Sequence, residues 1–391
     1  MTSNAINEKW KSLEESNSFV HEIFQQPEAI LDLVKFYTGD EGRGLLEDAL
    51  VSFSITGYSQ IIITGMGSSL FAGKILEILL SSCWFPVTRM DAGELLYYGF
   101  SDVNGEKRYP KEDNGKILLI LVSQSGESSE IVKILNEIKS RKEGIIDTWG
   151  ITNSLDSTLS KEVDTCFPLH AGPERSVTSK TYSNCLILMY MLGLTLVNHS
   201  KMDLDAILHV IQEQVLELER SIDELLHHQL SLAGKMVKFV GKDVDYIAFV
   251  ARGASIATIE QAALNIKETA KIPSGSLTGG QFRHGPIEMI NKDTRVIACT
   301  SDGITRKILE KMAWDIAHTW GGGKVIFITN RYCEKLDGEP RILQVKHDIE
   351  NPFLATVMEI LIIQLFMVEL ALERDLEPGV FKYSSKITKE G

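Results

Sequence analysis

LLILVSQSGESSEIVKIL, residues 118–135, joins a continuous apolar run to a polar turn and then to a helical pattern. The turn is Ser123-Gln124-Ser125-Gly126-Glu127-Ser128. After it, Ile131, Ile134, Leu135 and Ile138 recur at the spacing of one helix face. A continuous apolar strand followed by an amphipathic helix is typical of a parallel sheet covered on both faces. The stretch therefore predicts one strand–turn–helix unit of an α/β protein.

Similar β-branched runs recur along the chain, most of them followed by small residues and a helical period. They cover residues 60–64, 116–122, 147–152, 245–250, 295–300 and 324–329. This alternation predicts α/β architecture in which parallel sheets are flanked by helices, the three-layer arrangement of flavodoxin-like folds.

Two segments look like copies of one another. IIITGMGSSLFAGKILEILL (61–80) and IAFVARGASIATIEQAALNI (247–266) both run from strand to small-residue turn to helix, with Gly67-Ser68-Ser69 matching Gly253-Ala254-Ser255. Chance similarity between two such units is the alternative. We expect a helical lead-in over 1–50, α/β domains over 51–205 and 241–375, a linking helix over 206–240 and a functional tail over 376–391.

Composition limits the classes of partner. The chain has 391 residues, 40 basic against 53 acidic, and a formal charge of −13, so we expect neither nucleic acid nor membrane as a partner. The five cysteines form no Cys-x-x-Cys pair, and the polar N-terminus is not typical of a signal peptide. The apolar stretches at 185–197 and 354–372 predict buried helices, and we expect a cytoplasmic protein.

The turn at 123–128 places three hydroxyls and an amide where a strand ends and a helix begins. Such groups and helix N–H groups bind phosphate without a lysine, and capping by serine explains one hydroxyl but not the cluster. The turn Gly65-Met66-Gly67-Ser68-Ser69 lacks both the third glycine of a dinucleotide loop and the Walker lysine. A phosphate loop and a structural turn both remain open there.

Three more segments carry candidate chemistry. Val177–Thr181 is either a helix cap or a ligand wall. Gln261, Asn265 and Glu268 share one helix face, and Glu268 is either a general base or a solvated carboxylate. His284, before Gly285-Pro286, is either a positioned imidazole that titrates near neutral pH or a surface histidine.

The C-terminal segment carries Phe381, Tyr383 and Ile387 after an apolar helix. Apolar residues in a tail favour packing back on the fold, and Lys382 or Lys386 then enters a site.

Together these motifs resemble the sugar isomerase (SIS) family, in particular the tandem isomerase half of glucosamine-6-phosphate synthase. The resemblance covers about residues 50–391 and rests on Ser-Gln-Ser-Gly-Glu (123–127), the 172–179 stretch, the spacing of Glu268 and His284, and a terminal lysine. It implies two tandem SIS domains, no cofactor, no metal, a phosphosugar substrate and a homodimer whose active site is shared between subunits.

The resemblance also implies individual roles. The residues implied to hold the phosphate are Ser69, Ser123, Gln124, Ser125 and Ser128. Val177 and Ser179 line the sugar, and Glu268 moves a proton between C1 and C2. His284, supplied by the partner subunit in the family, opens the ring, and Lys386 forms a Schiff base with the ketose.

Several features depart from the synthase. No glutaminase segment with its N-terminal cysteine precedes the isomerase part, Asn265 replaces a lysine, and Ser-Lys-Thr (179–181) replaces Ser-Thr-Lys. We therefore expect a cofactor-free isomerase, deaminase or deglycase of aminosugar or fructosamine 6-phosphates, without glutamine as its own nitrogen donor. The alternatives are a ketose/aldose 6-phosphate isomerase without amine chemistry, a non-catalytic sugar-phosphate sensor, and an inactive SIS-like scaffold.

Overall fold

The computed structural model describes residues 3–100, 115–140, 144–198 and 202–383. They form two compact units. The first unit comprises residues 28–174 and 180–213, and the second comprises residues up to 27, 175–179 and 214–382. Lys386 lies outside the described residues.

Within the described residues, four helices precede the first strand. They are α1 (Ser3–Ser16), α2 (Ser18–Phe24), α3 (Gln26–Thr38) and α4 (Asp40–Thr56).

The first unit contains a sheet of five parallel strands in the order β2-β1-β3-β4-β5. The strands are β1 (Gln60–Gly65), β2 (Val87–Asp91), β3 (Ile117–Val122), β4 (Ile146–Thr152) and β5 (Thr165–Pro168). The intervening helices are α5 (Ser68–Ala72), α6 (Lys74–Ser82), α7 (Ala92–Glu94) with a π-helical turn at Leu95–Gly99, α8 (Ser129–Lys139) and α9 (Thr158–Glu162). The helix that follows β5 is α10 (Lys180–Asn198).

The second unit contains five parallel strands in the order β10-β9-β8-β6-β7. The strands are β6 (Ile247–Ala251), β7 (Ser274–Thr278), β8 (Arg295–Thr300), β9 (Lys324–Thr329) and β10 (Ile342–Lys346). Its helices from β6 onward are α13 (Ser255–Thr269), α14 (Gly279–Arg283), α15 (Arg306–His318) and α16 (Ala355–Glu373), with 3-10 turns at Pro286–Met289 and Glu334–Leu336.

In the sequence, α11 (Leu204–His228) and α12 (Ser231–Val240) follow α10 and precede β6. The sequence predicted a single linking helix over 206–240. The structure instead has two helices, because the helical conformation is interrupted at residues 229–230.

The two sheets have the same topology when each is numbered from its own first strand. In each, the second strand lies on one side of the first and the third strand on the other, which is the order of flavodoxin-like folds. The turns after β1 and β6 also agree, since Gly67 and Gly253 both have positive φ, at 49° and 64°. The predicted fold class, two tandem α/β domains with parallel sheets, is therefore confirmed.

All six strands predicted from the sequence are present, and four others were not predicted. The unpredicted strands are β2, β5, β7 and β10, which are the four edges of the two sheets. An edge strand has one neighbour instead of two, so fewer of its side chains are buried and its apolar pattern is weaker. In β2 and β7, for example, every residue is half-buried.

α10 and α16 are long and apolar enough to cross a membrane by length and composition. In this protein 83% of the apolar stretch of α10 and 89% of that of α16 are buried inside the fold. The sequence predicted that both segments are buried helices. Their burial in the core explains why most of their residues are apolar.

Candidate functional site

The strand order of the first unit reverses between β1 and β3, the position at which open α/β sheets form a ligand crevice. The carboxyl ends of β1 and β3 are neighbours, since Gly65 is paired with Val122 in the register of the sheet. The connection after β1 leads to β2 on one side, and the connection after β3 leads to β4 on the other. Open α/β sheets bind ligands at this position. The predicted phosphate residues lie on the two turns that begin there.

Ser123 and Ser128 lie at the two ends of the turn between β3 and α8. Their Oγ atoms are 3.0 Å apart, and the N–H of Gly126 donates to Ser123 Oγ at 3.1 Å. Ser128 holds the N-cap position of α8, yet its side chain accepts no capping hydrogen bond. Ordinary helix capping, which the sequence left open as an alternative, therefore does not account for Ser128.

Gly126 gives this turn its shape. Its φ is +66°, and a Cβ at this position would lie 2.0 Å from Ser157 Oγ. Both the conformation and the close approach require glycine. The turn between Ser123 and Ser128 is therefore held in one shape by the neighbouring loop.

The backbone of Gln124 is also fixed. Its carbonyl accepts hydrogen bonds from the Asn153 N–H at 3.0 Å and from Thr152 Oγ1 at 3.3 Å, which join the turn to the end of β4. Ser125 Oγ accepts from the Glu127 N–H at 3.2 Å. The side chains of Gln124 and Ser125 are both half-buried, so they border the crevice from a rigid backbone.

Ser69 reaches the same crevice from the turn after β1. A Cβ on Gly65 would lie 2.7 Å from the Val122 carbonyl and 3.0 Å from Ser69 Cβ, so Ser69 lies beside the end of β3. The hydroxyl of Ser69 makes no hydrogen bond within the part of the chain that the structure describes. The structure thus brings the five predicted phosphate residues to adjoining turns, and their role stays a prediction.

This group can receive an anion without a cationic side chain. Four hydroxyls and one amide supply neutral donors, and the N-terminus of the 11-residue α8 adds a partial positive charge. Glu127, the acidic residue of the turn, is occupied elsewhere, since its carboxylate accepts from the N–H of Thr158 at 2.6 Å and from its Oγ1 at 3.0 Å. Its negative charge is therefore used to cap α9.

In the second unit, residues 175–179 are attached to α13. Asn265 Nδ2 donates to the Thr178 carbonyl at 3.1 Å, and Gln261 Nε2 donates to Asn265 Oδ1 at 2.6 Å. Val177 and Ser179, the residues predicted to line the sugar, are both fully buried. Asn265 therefore fixes this segment to the helix that carries Glu268.

Glu268 lies in the last turn of α13 and is half-buried. Lys271 follows it, and its Nζ donates to the Glu268 carbonyl at 2.5 Å. Burial lowers the pKa of Lys271, the Glu268 carboxylate opposes that shift, and the positive charge of Lys382 adds to it. A carboxylate and two ammonium groups therefore interact electrostatically at the end of α13. No sequence motif marked Lys271.

His284 is exposed at the end of α14. Its N–H donates to the Gln281 carbonyl at 3.1 Å, and Thr278 and Gln281 form a capping box at the start of the helix. The turn is thus well defined and presents the imidazole to solvent. Exposure agrees with either alternative that the sequence left open, so the role of His284 stays a prediction.

Four of the five cysteines have thiols with a raised pKa. Burial raises the pKa of Cys166, Cys299 and Cys333 and raises that of Cys185 to about 12, which keeps these thiols protonated and unreactive. Within the described residues, no three His, Cys, Asp or Glu side chains are grouped so that they could hold a metal ion.

Comparison with known proteins identifies the family. The SIS domain matches residues 111–197 and 242–374 of this chain. The chain belongs to the SIS domain family.

Glutamine–fructose-6-phosphate aminotransferase [isomerizing] of Chlamydia pneumoniae is 32% identical to this SIS chain over 298 residues, which are 74% of this chain and 45% of that protein. The chain spans about half the length of the curated relatives it matches.

Three solved structures share the fold. The C-terminal domain of glucosamine-fructose-6-phosphate aminotransferase from Francisella tularensis has a TM-score of 0.76 at 21% identity and covers 93% of this chain and 98% of its own. Tagatose-6-phosphate ketose/aldose isomerase from Escherichia coli has a TM-score of 0.73 at 18% identity, covering 94% and 96%. Glucosamine-6-phosphate deaminase from Thermotoga maritima has a TM-score of 0.67 at 18% identity, covering 95% and 99%. At these identities the likeness shows the fold.

Proposed function

We propose that this SIS chain is an enzyme that isomerises, deaminates or deglycates an aminosugar 6-phosphate or a sugar–amine conjugate of the fructosamine 6-phosphate type. The observation that carries the proposal is the pair of hydroxyls, Ser123 Oγ and Ser128 Oγ, 3.0 Å apart at the switch point of the first unit. A phosphate ester is the anion that best matches such a set of neutral donors.

The phosphate anchors the substrate and leaves its carbonyl end free to react. Ser69, Ser123, Gln124, Ser125 and Ser128 are the proposed phosphate ligands. Val177 and Ser179 are proposed to border the sugar. Binding energy at a group distant from the reacting carbons pays for orientation of those carbons.

Glu268 is the proposed acid–base. In the isomerisation its carboxylate removes a proton from C1 of the open-chain ketose while the oxygen or nitrogen on C2 gains a proton, which gives an enediol or enolamine. The carboxyl then returns the proton to C2 while the C1 hydroxyl loses its proton to become the aldehyde. The step needs no oxidant or metal, because protons move within the substrate and no electrons leave it. His284 is the proposed ring-opening group, donating a proton to the ring oxygen as the bond from that oxygen to the anomeric carbon breaks and the anomeric hydroxyl loses its proton to become the carbonyl.

A lysine of the chain end, Lys386 or else Lys382, is the proposed Schiff-base residue. Its neutral amine adds to the C2 carbonyl, one proton is taken up and water leaves, so that an iminium forms. Hydrolysis or exchange with another amine regenerates the lysine. This step is what connects isomerisation to amine release.

Relatives of the chain support this range of chemistry. The names of relatives include an aminotransferase, a ketose/aldose isomerase and a glucosamine-6-phosphate deaminase, all acting on phosphosugars by those names. The alternative is a ketose/aldose 6-phosphate isomerase without amine chemistry, and Asn265 in place of the synthase lysine is the residue that favours it. A sugar-phosphate regulator without turnover is the non-enzymatic alternative.

We further propose a homodimer in which His284 acts in the site of the partner, no cofactor, no nucleic acid or membrane partner, and a cytoplasmic location. The resemblance to glucosamine-6-phosphate synthase supports the shared site, and the exposure of His284 on its own subunit is compatible with it.

A substrate panel tests the proposal. The purified protein is incubated with hexose, hexosamine and fructosamine 6-phosphates and with their unphosphorylated forms, and sugar isomers, ammonia and free amine are measured separately. Release of ammonia or amine from a phosphorylated substrate supports the proposal. Isomer exchange without amine release favours the alternative isomerase, and binding without turnover favours the regulator.

A further inference from the structure

Lys271 has a backbone conformation that is unusual for a residue other than glycine. It follows the end of α13 with φ +55°, in the left-handed region where helices usually place glycine or asparagine. A lysine in this position carries a steric penalty that glycine avoids. The contacts of the side chain show what is gained there.

Lys271 Nζ connects two segments that are distant in sequence. It donates to the Glu268 carbonyl at 2.5 Å and to the Val380 carbonyl at 2.7 Å. The first contact lies in the last turn of the helix that carries the proposed acid–base, and the second lies in the C-terminal segment. One ammonium group therefore ties the chain end to α13.

The two residues before Val380 are held in the same way. Asn17 Nδ2 donates to the Pro378 carbonyl and Ser176 Oγ donates to the Gly379 carbonyl, each at 3.0 Å. Three consecutive carbonyls of the chain end thus accept hydrogen bonds from side chains on three different parts of the second unit. We call Asn17, Ser176 and Lys271 the tail clamp.

The residues around the tail clamp also pack closely against the chain end. Gly379 has φ +77°, and a Cβ there would lie 2.5 Å from both Phe19 Cβ and Ser176 Oγ, so the segment has room only for glycine. The buried carboxylate of Glu22 accepts from the N–H groups of Arg175 and Ser176. α2 therefore holds the loop that carries Ser176, and the loop holds the chain end.

Electrostatics link the same groups. Lys271 interacts with the negative charge of Glu268 and with the positive charge of Lys382, and Lys382 follows Val380 by two residues. A shift of residues 378–382 would therefore move the charge of Lys382 and change the electric field at Glu268.

We propose that Lys271 is a positioning residue, which holds residues 378–382 against the end of α13 and so keeps the proposed acid–base Glu268 and Lys382 in one fixed relation. Its catalytic consequence rests on the proposed function, whereas the holding of the chain end does not. Lys271 touches the chain end and the helix backbone, and it acts on the reaction through them.

The test compares Lys271→Met, which keeps the length of the side chain without its ammonium, with Lys271→Arg, which keeps the charge and the donors. Hydrogen–deuterium exchange of residues 376–383 reports the chain end, and steady-state kinetics on the phosphosugar found in the panel report the reaction. The matched control is Lys307→Met, an exposed lysine of the same unit.

Lys271→Met is expected to speed exchange in residues 376–383 severalfold, and Lys271→Arg to restore most of the protection. We expect kcat of Lys271→Met to fall at least about tenfold, since a misplacement of about 1 Å costs up to about 10²-fold. KM should stay within about twofold, because the phosphate ligands are unchanged. Lys307→Met should change neither quantity.

If hydrogen–deuterium exchange of residues 376–383 is unchanged in Lys271→Met, then Lys271 does not hold the chain end, whether or not the protein is an enzyme. Faster exchange with unchanged kcat would overturn the positioning role and leave the proposed function intact. Faster exchange in a protein without activity on any phosphosugar would reject the proposed function and leave the clamp. If Lys271→Met does not fold, Ser176→Ala removes the neighbouring hydrogen bond to the Gly379 carbonyl. This variant too must speed exchange in residues 376–383 and lower kcat.

Discussion

Glu359 and Thr258 are joined by a 2.7 Å hydrogen bond, from Thr258 Oγ1 to the Glu359 carboxylate, in the closed interior of the second unit. Ser255 Oγ donates to the other carboxylate oxygen at 2.8 Å. Glu359 is fully buried. Burial raises its pKa to about 7, and the two hydroxyls only partly oppose this shift.

Stability should consequently fall as pH rises across this range. The folded protein keeps the proton of Glu359 up to about pH 7, whereas an ordinary carboxyl loses it near 4.5. The stability that the protonated Glu359 side chain contributes to the fold is therefore fully present below pH 4.5 and is lost as pH rises to about 7. We expect Glu359→Gln to remove this loss, which is worth up to about 3 kcal/mol at about 1.4 kcal/mol for each pKa unit.

Thermal melting at pH 5 and pH 8 checks this prediction. The difference in melting temperature between Glu359→Gln and the unmodified protein should be more positive at pH 8 than at pH 5. Glu373→Gln, an exposed change on the same helix, is the control and should show no such pH dependence. Parallel curves for Glu359→Gln would contradict the prediction.

Ser128→Ala should weaken phosphorylated ligands selectively. A hydrogen bond to a charged group is worth about 1.5–3 kcal/mol, which corresponds to an increase of about 10- to 100-fold in Kd. Unphosphorylated sugars should bind equally to both proteins. Titration calorimetry measures this, with Ser140→Ala as control, because Ser140 lies at the other end of α8, where its hydroxyl donates to the Glu137 carbonyl. Equal weakening of both ligand classes would remove the phosphate assignment.

Glu268→Gln should abolish turnover and leave binding of the sugar phosphate nearly unchanged. The amide keeps the shape of the side chain but cannot take up a proton, and loss of a general base costs about 10²–10⁴-fold in rate. Rates and Kd values are measured separately, with the exposed Glu288→Gln as control. A parallel loss of binding would assign Glu268 to substrate binding instead.

Mixing two inactive variants tests the shared active site. If His284 acts in the partner's site, a dimer of one Glu268→Gln and one His284→Ala subunit has one site with both changes and one site with neither. Random exchange should then restore about a quarter of the activity, since about half of the dimers are mixed. No recovery after verified subunit exchange would place both residues in the same subunit's site.

Activity should survive exhaustive treatment with a metal chelator. The proposed proton transfers use a carboxylate, an imidazole and an amine, and none of these steps requires a Lewis acid. Rates before and after dialysis against EDTA provide the measurement, with a zinc enzyme treated in parallel to verify the chelation. A loss of activity that added metal restores would count against the mechanism.

Much of the fold could be predicted because it depends on local patterns. A central strand such as β3 is buried along its whole length, so its six residues are all apolar and stand out in the sequence. The edge strands β2 and β7 have no fully buried residue, and a pattern that depends on burial is lost there. The turn at 123–128 was found because its hydroxyls are adjacent in the chain.

The two copies show where sequence reasoning stops. Ser69 and Ser255 occupy equivalent turns, and the sequence makes them look alike. In the structure, Ser255 is buried and bonded to Glu359, which is 104 residues away, whereas Ser69 lies half-buried beside the end of β3. Whether Ser69 or Ser255 has a hydroxyl available for a ligand depends on a hydrogen bond to a side chain far away in the sequence. No local pattern reveals such a bond.

The amino-acid sequence by itself determined the α/β class, the doubled architecture and the hydroxyl-rich turn, because periodic burial and turn chemistry act over a few neighbouring residues. Only the tertiary structure decided that Lys271 contacts Val380 and that Asn265 contacts Thr178. Those contacts join residues about 90 to 110 positions apart. Their partners are selected by how the helices and the chain end pack, and packing is a property of the whole fold.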